Sequence, residues 1–94
     1  MSYAIAYTTE AQVGFRRLEI LLQEEVLDAV DLIADQPALL PRCSAGGSVV
    51  YDVVCEMNRV RHYLFLTIRV DHGKRDLEVT KIGHFAKPLA PRRG

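Results

Sequence analysis

The chain begins with a short alternation of large and small side chains. Tyr3, Ile5 and Tyr7 fall on one face of an extended segment, and the residues between them are small. This is the period-two pattern of a β-strand. The two threonines that follow are typical of a helix start. We expect Thr9 to cap the first helix, with Gln12 reaching back to its backbone in a capping box.

The next region, residues 9–35, has apolar side chains at helical spacing. They are Ala11, Phe15, Leu18, Leu22, Val26, Ala29, Val30 and Ile33. One continuous helix would be about 40 Å long at ~1.5 Å per residue, whereas a compact chain of this length has a radius of gyration of roughly 12 Å. We therefore predict a break near residues 23–25 and an antiparallel helical hairpin. Pro37 and Pro41 end the helical region, and residues 42–48 form a glycine-containing connector.

The second half of the chain has the composition of β-strands. β-branched and aromatic residues fill residues 49–56, 61–71 and 76–85, with short polar turns between them. In the middle segment one face is apolar (Leu64, Leu66, Ile68 and Val70) and the other is mixed (Tyr63, Phe65, Thr67 and Arg69). Short turns make these three strands antiparallel neighbours. The order β-α-α-β-β-β predicts an α+β domain, with the helical hairpin packed on one face of a small antiparallel sheet.

The length of 94 residues fits a single domain, which we place at 1–87, followed by a basic tail at 88–94. Twelve Lys and Arg residues balance twelve Asp and Glu residues, so the formal net charge is zero. Residues 10–35 nevertheless contain seven acidic and two basic residues, a balance of −5, and residues 57–94 contain nine basic and three acidic residues, a balance of +6. This distribution predicts acidic helices behind a basic sheet, where an anionic partner would bind.

Several functional classes are disfavoured by the sequence. The N-terminus lacks the basic and apolar parts of a signal peptide, and no apolar stretch reaches the ~20 residues that span a bilayer, so we expect a cytoplasmic protein without a membrane partner. Cys43 and Cys55 lack the Cys-x-x-Cys spacing of zinc and redox sites, and we expect both to be reduced and structural. We predict no metal and no cofactor, because no metal-ligand pattern, nucleophile elbow or phosphate-binding loop is present.

Phosphate chemistry without a metal remains open, and cleavage of RNA through its own 2′-hydroxyl group is one such reaction. That reaction needs a proton acceptor, a donor to the leaving oxygen and cations that offset charge in the transition state. His84, Arg61 and Lys81 have side chains suited to these roles. Each also has a simpler interpretation, because histidines near strand ends and exposed arginines on sheets are most often structural or solvating. Tyr63 and Phe65 can stack on bases, but we favour packing for both.

Four local motifs follow one another along the chain: residues 3–11 (YAIAYTTEA), 15–18 (FRRL), 32–37 (LIADQP) and 77–84 (LEVTKIGH). Their order and spacing resemble the RelE/ParE superfamily of bacterial type II toxins, also called plasmid stabilisation proteins. The resemblance covers residues 3–85, nearly the whole chain. It implies the α+β fold described above and a toxin that is held inactive by a cognate antitoxin protein.

In that superfamily, ribosome-dependent members cleave mRNA with arginines and lysines of the sheet and a histidine or tyrosine near the C-terminus, while other members inhibit DNA gyrase. The resemblance implies that His84 is the general acid or base, and that Arg61 and Lys81 are the cations at the phosphate. Further contacts to RNA are expected from Arg59, Tyr63, Arg69 and Lys87.

Three features depart from the family pattern. Residues 58–63 (NRVRHY) replace the usual Gly-x-Tyr-Arg at the start of the third strand, the C-terminal catalytic tyrosine is absent, and the chain is neutral. Three functions therefore remain open. We rank a ribosome-associated mRNA endoribonuclease first, ahead of a non-enzymatic toxin that inhibits DNA gyrase and a catalytically silent protein-interaction module.

Overall fold

The computed structural model describes residues 2–40 and 47–90. Most of the predicted connector, with Cys43, and residues 91–94 of the predicted tail lie outside the described residues. The elements are β1 (Ala4–Tyr7), α1 (Thr9–Arg16), α2 (Ile20–Asp35), a single 3₁₀ turn (Pro37–Leu39), β2 (Ser48–Met57), β3 (Val60–Asp71) and β4 (Asp76–Pro88). The predicted α+β class and the predicted order of elements are confirmed.

The four strands form one sheet in the order β1-β4-β3-β2. β2, β3 and β4 are antiparallel neighbours, as predicted from their short turns. β1 pairs with β4 in parallel, with Ile5 opposite Leu77, so the sheet is mixed rather than purely antiparallel. A parallel neighbour requires a crossover connection, and the helices, β2 and β3 all lie between β1 and β4 in the sequence.

The first helix is capped one residue earlier than predicted. Thr8, in an extended conformation, is the N-cap, and its Oγ1 accepts a hydrogen bond from the N–H of Ala11 at 3.1 Å. The same hydroxyl donates to the carbonyl of Thr80 at 2.8 Å, so it joins the helix start to β4. Gln12 donates to the carbonyl of Tyr7 at 3.3 Å and forms no capping box with Thr9. The tertiary bond to β4 therefore selects Thr8 over its neighbour.

The break between the helices lies at residues 17–19, not at the predicted residues 23–25. Leu18, inside the break, is buried in the core with 6% of its surface exposed. The carbonyl of Phe15, at the end of α1, accepts from the N–H of Leu18 at 3.1 Å and also from the side chain of Gln23 at 3.1 Å. The position of the break is therefore set by the burial of Leu18 and by a cap supplied from α2.

Gly14 lies in α1 where the helix passes over β4. A Cβ atom built on it would be 2.5 Å from the carbonyl oxygen of Ile82, a distance at which one of the two backbones has to move. The apolar periodicity that predicts this helix gives no sign of the glycine, whose role depends on β4. The close approach of α1 to β4 depends on it.

The hydrophobic core lies between the two helices and one face of the sheet. Its largest fully buried side chains are Leu22, Val26, Val30, Ile33, Leu64, Leu66, Ile68, Leu77 and Val79. The predicted apolar face of β3 is thus confirmed, with Val70 half-buried at its end. Among the described residues, no helix is long and apolar enough to cross a membrane.

Candidate functional site on the open sheet face

The helices cover one face of the sheet, and no helix or strand of residues 2–40 and 47–90 covers the other. We define the open face by five register rows of β2, β3 and β4, whose residues point away from the core. The rows are Ser48, Arg69 and Glu78; Val50, Thr67 and Lys81; Asp52, Phe65 and Gly83; Val54, Tyr63 and Phe85; and Glu56, Arg61 and Lys87.

The middle of the open face is apolar. We call its members, Val50, Val54, Tyr63, Phe65 and Phe85, the apolar strip. The rings of Tyr63 and Phe85 face each other across β3 and β4, with centroids 5.8 Å apart and planes tilted by 41°. Phe85, Val50 and Val54 each keep more than half of their surface exposed. An exposed apolar patch with a polar rim is the usual anatomy of a binding surface.

One end of the apolar strip is bordered by a row of charged residues. Glu56, Arg61 and Lys87 are direct cross-strand neighbours. Arg61 donates to Oε1 of Glu56 from Nη2 at 2.7 Å and from Nε at 3.0 Å. The hydrogen bond to Glu56 raises the pKa of the Arg61 guanidinium, with a further contribution from Tyr63. Arg61 is therefore a permanent cation whose charge is partly offset by its own neighbour.

The other end is bordered by Arg69 and Lys81, with Arg69 lying 3.5 Å from a carboxylate oxygen of Glu78. A β-bulge at Thr80 shifts the register of β3 and β4 between Thr67 and Ile68, and the Thr80 hydroxyl donates to the carbonyl of Thr67 at 3.2 Å. The extra residue keeps the core side chains before and after it on the helix side and places Lys81 on the open face.

His84 lies on the opposite, helix-covered side of the sheet, in register with buried Leu64. Its Nε2 is 2.9 Å from Nδ1 of His62, and the two rings stack with centroids 5.2 Å apart. Burial lowers the pKa of His84, the charge of His62 lowers it further, and Glu19 acts in the opposite direction. His84 is thus hydrogen-bonded to a buried residue of the fold. This agrees with the simpler of its two interpretations, a structural rather than a catalytic histidine.

The predicted site residues are consequently divided. Tyr63, Arg61, Arg69, Lys81 and Lys87 share the open face, while Arg59 lies in the tight turn between β2 and β3, at φ 63°. Lys81 is opposite Thr67, six residues along β3 from Arg61, a separation of about 20 Å at ~3.3 Å per residue. Arg61 and Lys81 therefore lie too far apart to hold one phosphate, and the sheet separates both from His84.

The predicted basic character of the sheet is much weaker than the sequence balance indicated. The open face contains four basic residues (Arg61, Arg69, Lys81 and Lys87) and three acidic ones (Asp52, Glu56 and Glu78). Much of the +6 balance comes from residues in the turns and in the undescribed end of the chain. The open face is therefore only slightly basic, because cross-strand pairing places acids of β2 and β4 beside the bases.

Cys55 is a free cysteine, half-buried on the helix side of β2. Burial raises the pKa of its thiol, and the charges of Glu25 and Glu19 raise it further. The protonated thiol is a poor nucleophile and a poor metal ligand, which agrees with the structural role expected for it. Within residues 2–40 and 47–90, no group of three or more His, Cys, Asp or Glu side chains has the geometry to hold a metal ion.

The residues that dominate the open face are not among the predicted site residues. Val50, Val54 and Phe85 were assigned only to strands, and Glu56 was not recognised as the partner of Arg61. The alternation of β2 was the available signal, since Val50, Asp52, Val54 and Glu56 recur with period two. Which of its two faces is covered depends on the sheet register.

No family model matches the sequence, and no curated protein matches it. Solved structures match it by shape. A double arginine-to-alanine mutant of the Escherichia coli toxin RelE in the free state aligns with a TM-score of 0.66 and 17% identity, covering 88% of this chain and 83% of that one. The intact E. coli RelBE toxin–antitoxin complex aligns with a TM-score of 0.60 and 16% identity, covering 97% and 100%.

A third match is the RelBE2 toxin–antitoxin complex of Mycobacterium tuberculosis, with a TM-score of 0.63 and 16% identity, covering 90% of this chain and 93% of that one. The shared architecture extends over nearly the whole described chain, at an identity too low to transfer individual residues. The fold implied by the sequence resemblance is confirmed: this chain has the α+β fold of the RelE toxins.

Proposed function

We propose that this chain is the toxin component of a type II toxin–antitoxin pair and is neutralised by a cognate antitoxin protein in the cytoplasm. The observation that supports this most is the match in shape, over nearly its full length, to RelE alone and to RelE-type toxins bound to antitoxins. In this proposal residues 1–87 form the toxin domain, and residues 88–94 are a basic extension.

The toxin reaches its target through the open face and acts by binding. The apolar strip has the exposed aromatic and aliphatic side chains that form the centre of protein–protein interfaces, and the charged rows at its ends correspond to the polar rim. The near balance of charge on this face favours a protein target over a nucleic acid, whose binding depends on neutralising phosphates. DNA gyrase, the target expected for the non-enzymatic alternative, is such a protein target.

Cleavage of mRNA on the ribosome is the second candidate. Tyr63 and Phe85 are aromatic side chains of the open face, a type that can stack on bases, and Arg61 and Lys87 lie in the neighbouring row. Catalysis by His84 requires the RNA to pass the end of β4, because His84 lies behind the sheet and is hydrogen-bonded to His62. Cleavage therefore requires one RNA segment to contact both faces of the sheet, whereas the first candidate requires binding on the open face only.

Controlled expression in a bacterial host tests the proposal. We expect growth arrest on induction, and relief when the gene next to the toxin's own is expressed with it. In extracts, purified protein should inhibit DNA supercoiling by gyrase and leave ribosome-bound mRNA intact. Ribosome-dependent mRNA cleavage that is lost in His84→Ala and Arg61→Ala would establish the endoribonuclease instead.

A matched pair of variants tests the role of the open face. Phe85 and Leu21 are exposed to nearly the same extent, 56% and 57%, on the open face and on α2 respectively. We expect Phe85→Ser to abolish growth arrest and Leu21→Ser to preserve it. Equal loss in both variants would argue against the open face, and normal growth on induction of the wild-type chain would identify a silent interaction module.

A further inference from the structure

A groove runs between α2 and the outer edge of β2. Four residues of α2, spaced along one side of the helix, form one wall, and a stretch of β2 forms the other. The lining residues are Glu25, Asp28, Ala29, Leu32, Tyr51, Asp52, Val53 and Val54, and the groove is an open depression of about 320 Å³. Only Val54 belongs both to the groove and to the apolar strip.

β2 is an edge strand, and no described strand pairs with its outer side. The turn to β3 contains only Asn58 and Arg59, so Met57 and Val60 form the hydrogen-bonded pair that closes the hairpin. Counting back from Met57, every second residue of β2 forms its backbone hydrogen bonds with β3. The backbone N–H and C=O groups of the intervening residues therefore point out of the sheet; these residues are Val50, Asp52, Val54 and Glu56.

The walls of the groove are apolar at the floor and acidic at the rim. Ala29, Leu32 and Val53 provide apolar surface, and Leu32 keeps 44% of its surface exposed. Glu25, Asp28 and Asp52 provide three carboxylates, none of which forms an ion pair with a described residue. An apolar floor, outward-pointing backbone N–H and C=O groups and carboxylates without a described ion-pair partner therefore lie together along β2.

We propose that this groove binds an extended, basic segment of a partner protein, which adds a fifth strand to the sheet beside β2. Alternate side chains of an added strand point to opposite faces. Those on the helix side pack against Ala29, Leu32 and Val53. Lysine or arginine side chains of the added strand reach Glu25 and Asp28 on α2 and Asp52 on the open face.

A second copy of this chain fits the groove poorly. Pairing two β2 edges would bring the acidic rims of both molecules together, and like charges at such distances destabilise an interface. A basic segment instead neutralises three carboxylates that have no described partner. The groove belongs to the fold itself, so its occupancy does not depend on which target the toxin has.

Binding of a synthetic peptide tests the proposal. The probe is an acetylated and amidated peptide of four Lys-Val repeats, with three comparison peptides: four Glu-Val repeats, a version with all lysines first and all valines last, and a version N-methylated at every backbone amide. We expect only the first to bind the full chain measurably in titration calorimetry. Equal binding of the rearranged or N-methylated peptide would overturn the proposal, because neither can pair as an alternating strand.

Two charge-matched variants separate the groove from general electrostatics. Glu25→Gln with Asp28→Asn removes two charges from the rim, and Glu10→Gln with Glu24→Gln removes two charges elsewhere on the helices. The first pair should weaken binding about tenfold and the second should change it little. Equal weakening in both pairs, or none in the first, would overturn the proposal.

Hydrogen exchange supplies the structural readout. Peptide binding should slow exchange at the amides of Val50, Asp52, Val54 and Glu56, whose N–H groups point away from β3 and pair with no described strand. Protection of these amides before peptide is added, together with a dimer in sedimentation, would show that a second copy occupies the edge and would overturn the proposal. Peptide binding that leaves exchange at these four amides unchanged would also overturn the proposal.

Discussion

Gly14 and His84 are two single residues whose environments could not be judged from their neighbours in sequence. A glycine inside a helix ordinarily costs stability relative to alanine, by about 1 kcal/mol. Here the missing side chain leaves room for the carbonyl of Ile82. The usual preference is reversed because the helix and the strand approach too closely for a Cβ atom.

Gly14→Ala should therefore destabilise the protein, by about 1–3 kcal/mol, the range found when a packed contact is overfilled. The measurement is the free energy of unfolding from urea titration. Val13→Ala, at an adjacent helical position with 40% of its surface exposed, is the control and should change stability by about 0.5 kcal/mol or less. A Gly14→Ala variant more stable than wild type would show that α1 can move away from β4 at no cost.

His84 makes stability depend on pH. Its pKa is lowered in the folded protein, from an ordinary value of 6.5, by burial and by His62. Protons therefore bind the unfolded chain more readily, and the stabilisation present above about pH 6.5 is lost as the pH falls toward the lower folded value. The effect is small, because His84 is an exposed residue.

The test compares urea midpoints at about pH 7.5 and pH 5.5 for wild type and His84→Gln. The wild-type midpoint should fall more over this interval, since glutamine does not titrate and the carboxylates contribute equally to both proteins. A larger fall in His84→Gln would contradict the assignment of the lowered pKa to His84.

At the scale of elements, tight connections determine where helices and strands meet. Thr8 caps α1 and also donates to Thr80 of β4. The hairpin between β2 and β3 turns within two residues, Asn58 and Arg59, both at positive φ, 52° and 63°. This is the conformation of a type I′ turn, whose backbone twist matches that of the flanking strands. Asparagine tolerates it, whereas arginine at the second position is strained.

Arg59→Gly should therefore stabilise the hairpin, by about 0.5–1 kcal/mol, because glycine adopts positive φ without a steric penalty. Arg59→Ala is the control: it also removes the long side chain but keeps the strained conformation, so no stabilisation is expected. Both are measured by thermal and urea unfolding. A gain shared equally by the two variants would place the effect in the arginine side chain rather than in the backbone.

At the scale of the whole molecule, one sheet has two faces with different roles. The covered face contains Leu64, Leu66 and Ile68, each without exposed surface, and the open face displays the apolar strip beside nearly balanced charges. Apolar residues on the open face add little to stability, because they remain in contact with water after folding. Their presence there is better explained by binding.

Substitutions on the two faces should separate stability from binding. Leu66→Ala should cost about 2–5 kcal/mol, as expected when a fully buried leucine leaves a cavity. Phe85→Ser should cost about 1 kcal/mol, the scale of a cross-strand aromatic pair such as its contact with Tyr63. Urea unfolding measures both. A Phe85→Ser loss as large as that of Leu66→Ala would mean that the strip is part of the core.

The sequence predicted most of the elements because their signals are local. The apolar period of β3, the strand composition of β2 and β4, and the helical spacing from Ala11 to Ile33 each lie within one segment. The predicted helix break was wrong because it is determined by Leu18 and by the bond from Gln23 to Phe15. The predicted cap was wrong because Thr80, distant in sequence, selects Thr8.

The candidate site was less predictable than the fold. Residue types identified Arg61, Lys81 and His84, but their separation depends on the register of β3 and β4 and on the bulge at Thr80. A shift of one residue moves a side chain to the other face of a sheet. His84 lies on the helix side for this reason, while Phe85, its immediate neighbour, lies on the open face.

The sequence by itself determined the fold class, the order of elements and the buried face of β3, because hydrophobic period and turn chemistry are properties of adjacent residues. Only the tertiary structure decided which side chains share a surface. Pairing between strands distant in sequence mixed acids with bases, separated Arg61 from Lys81 and paired His84 with His62. It also left the outer edge of β2, beside the acidic side of α2, without a neighbour among the described strands.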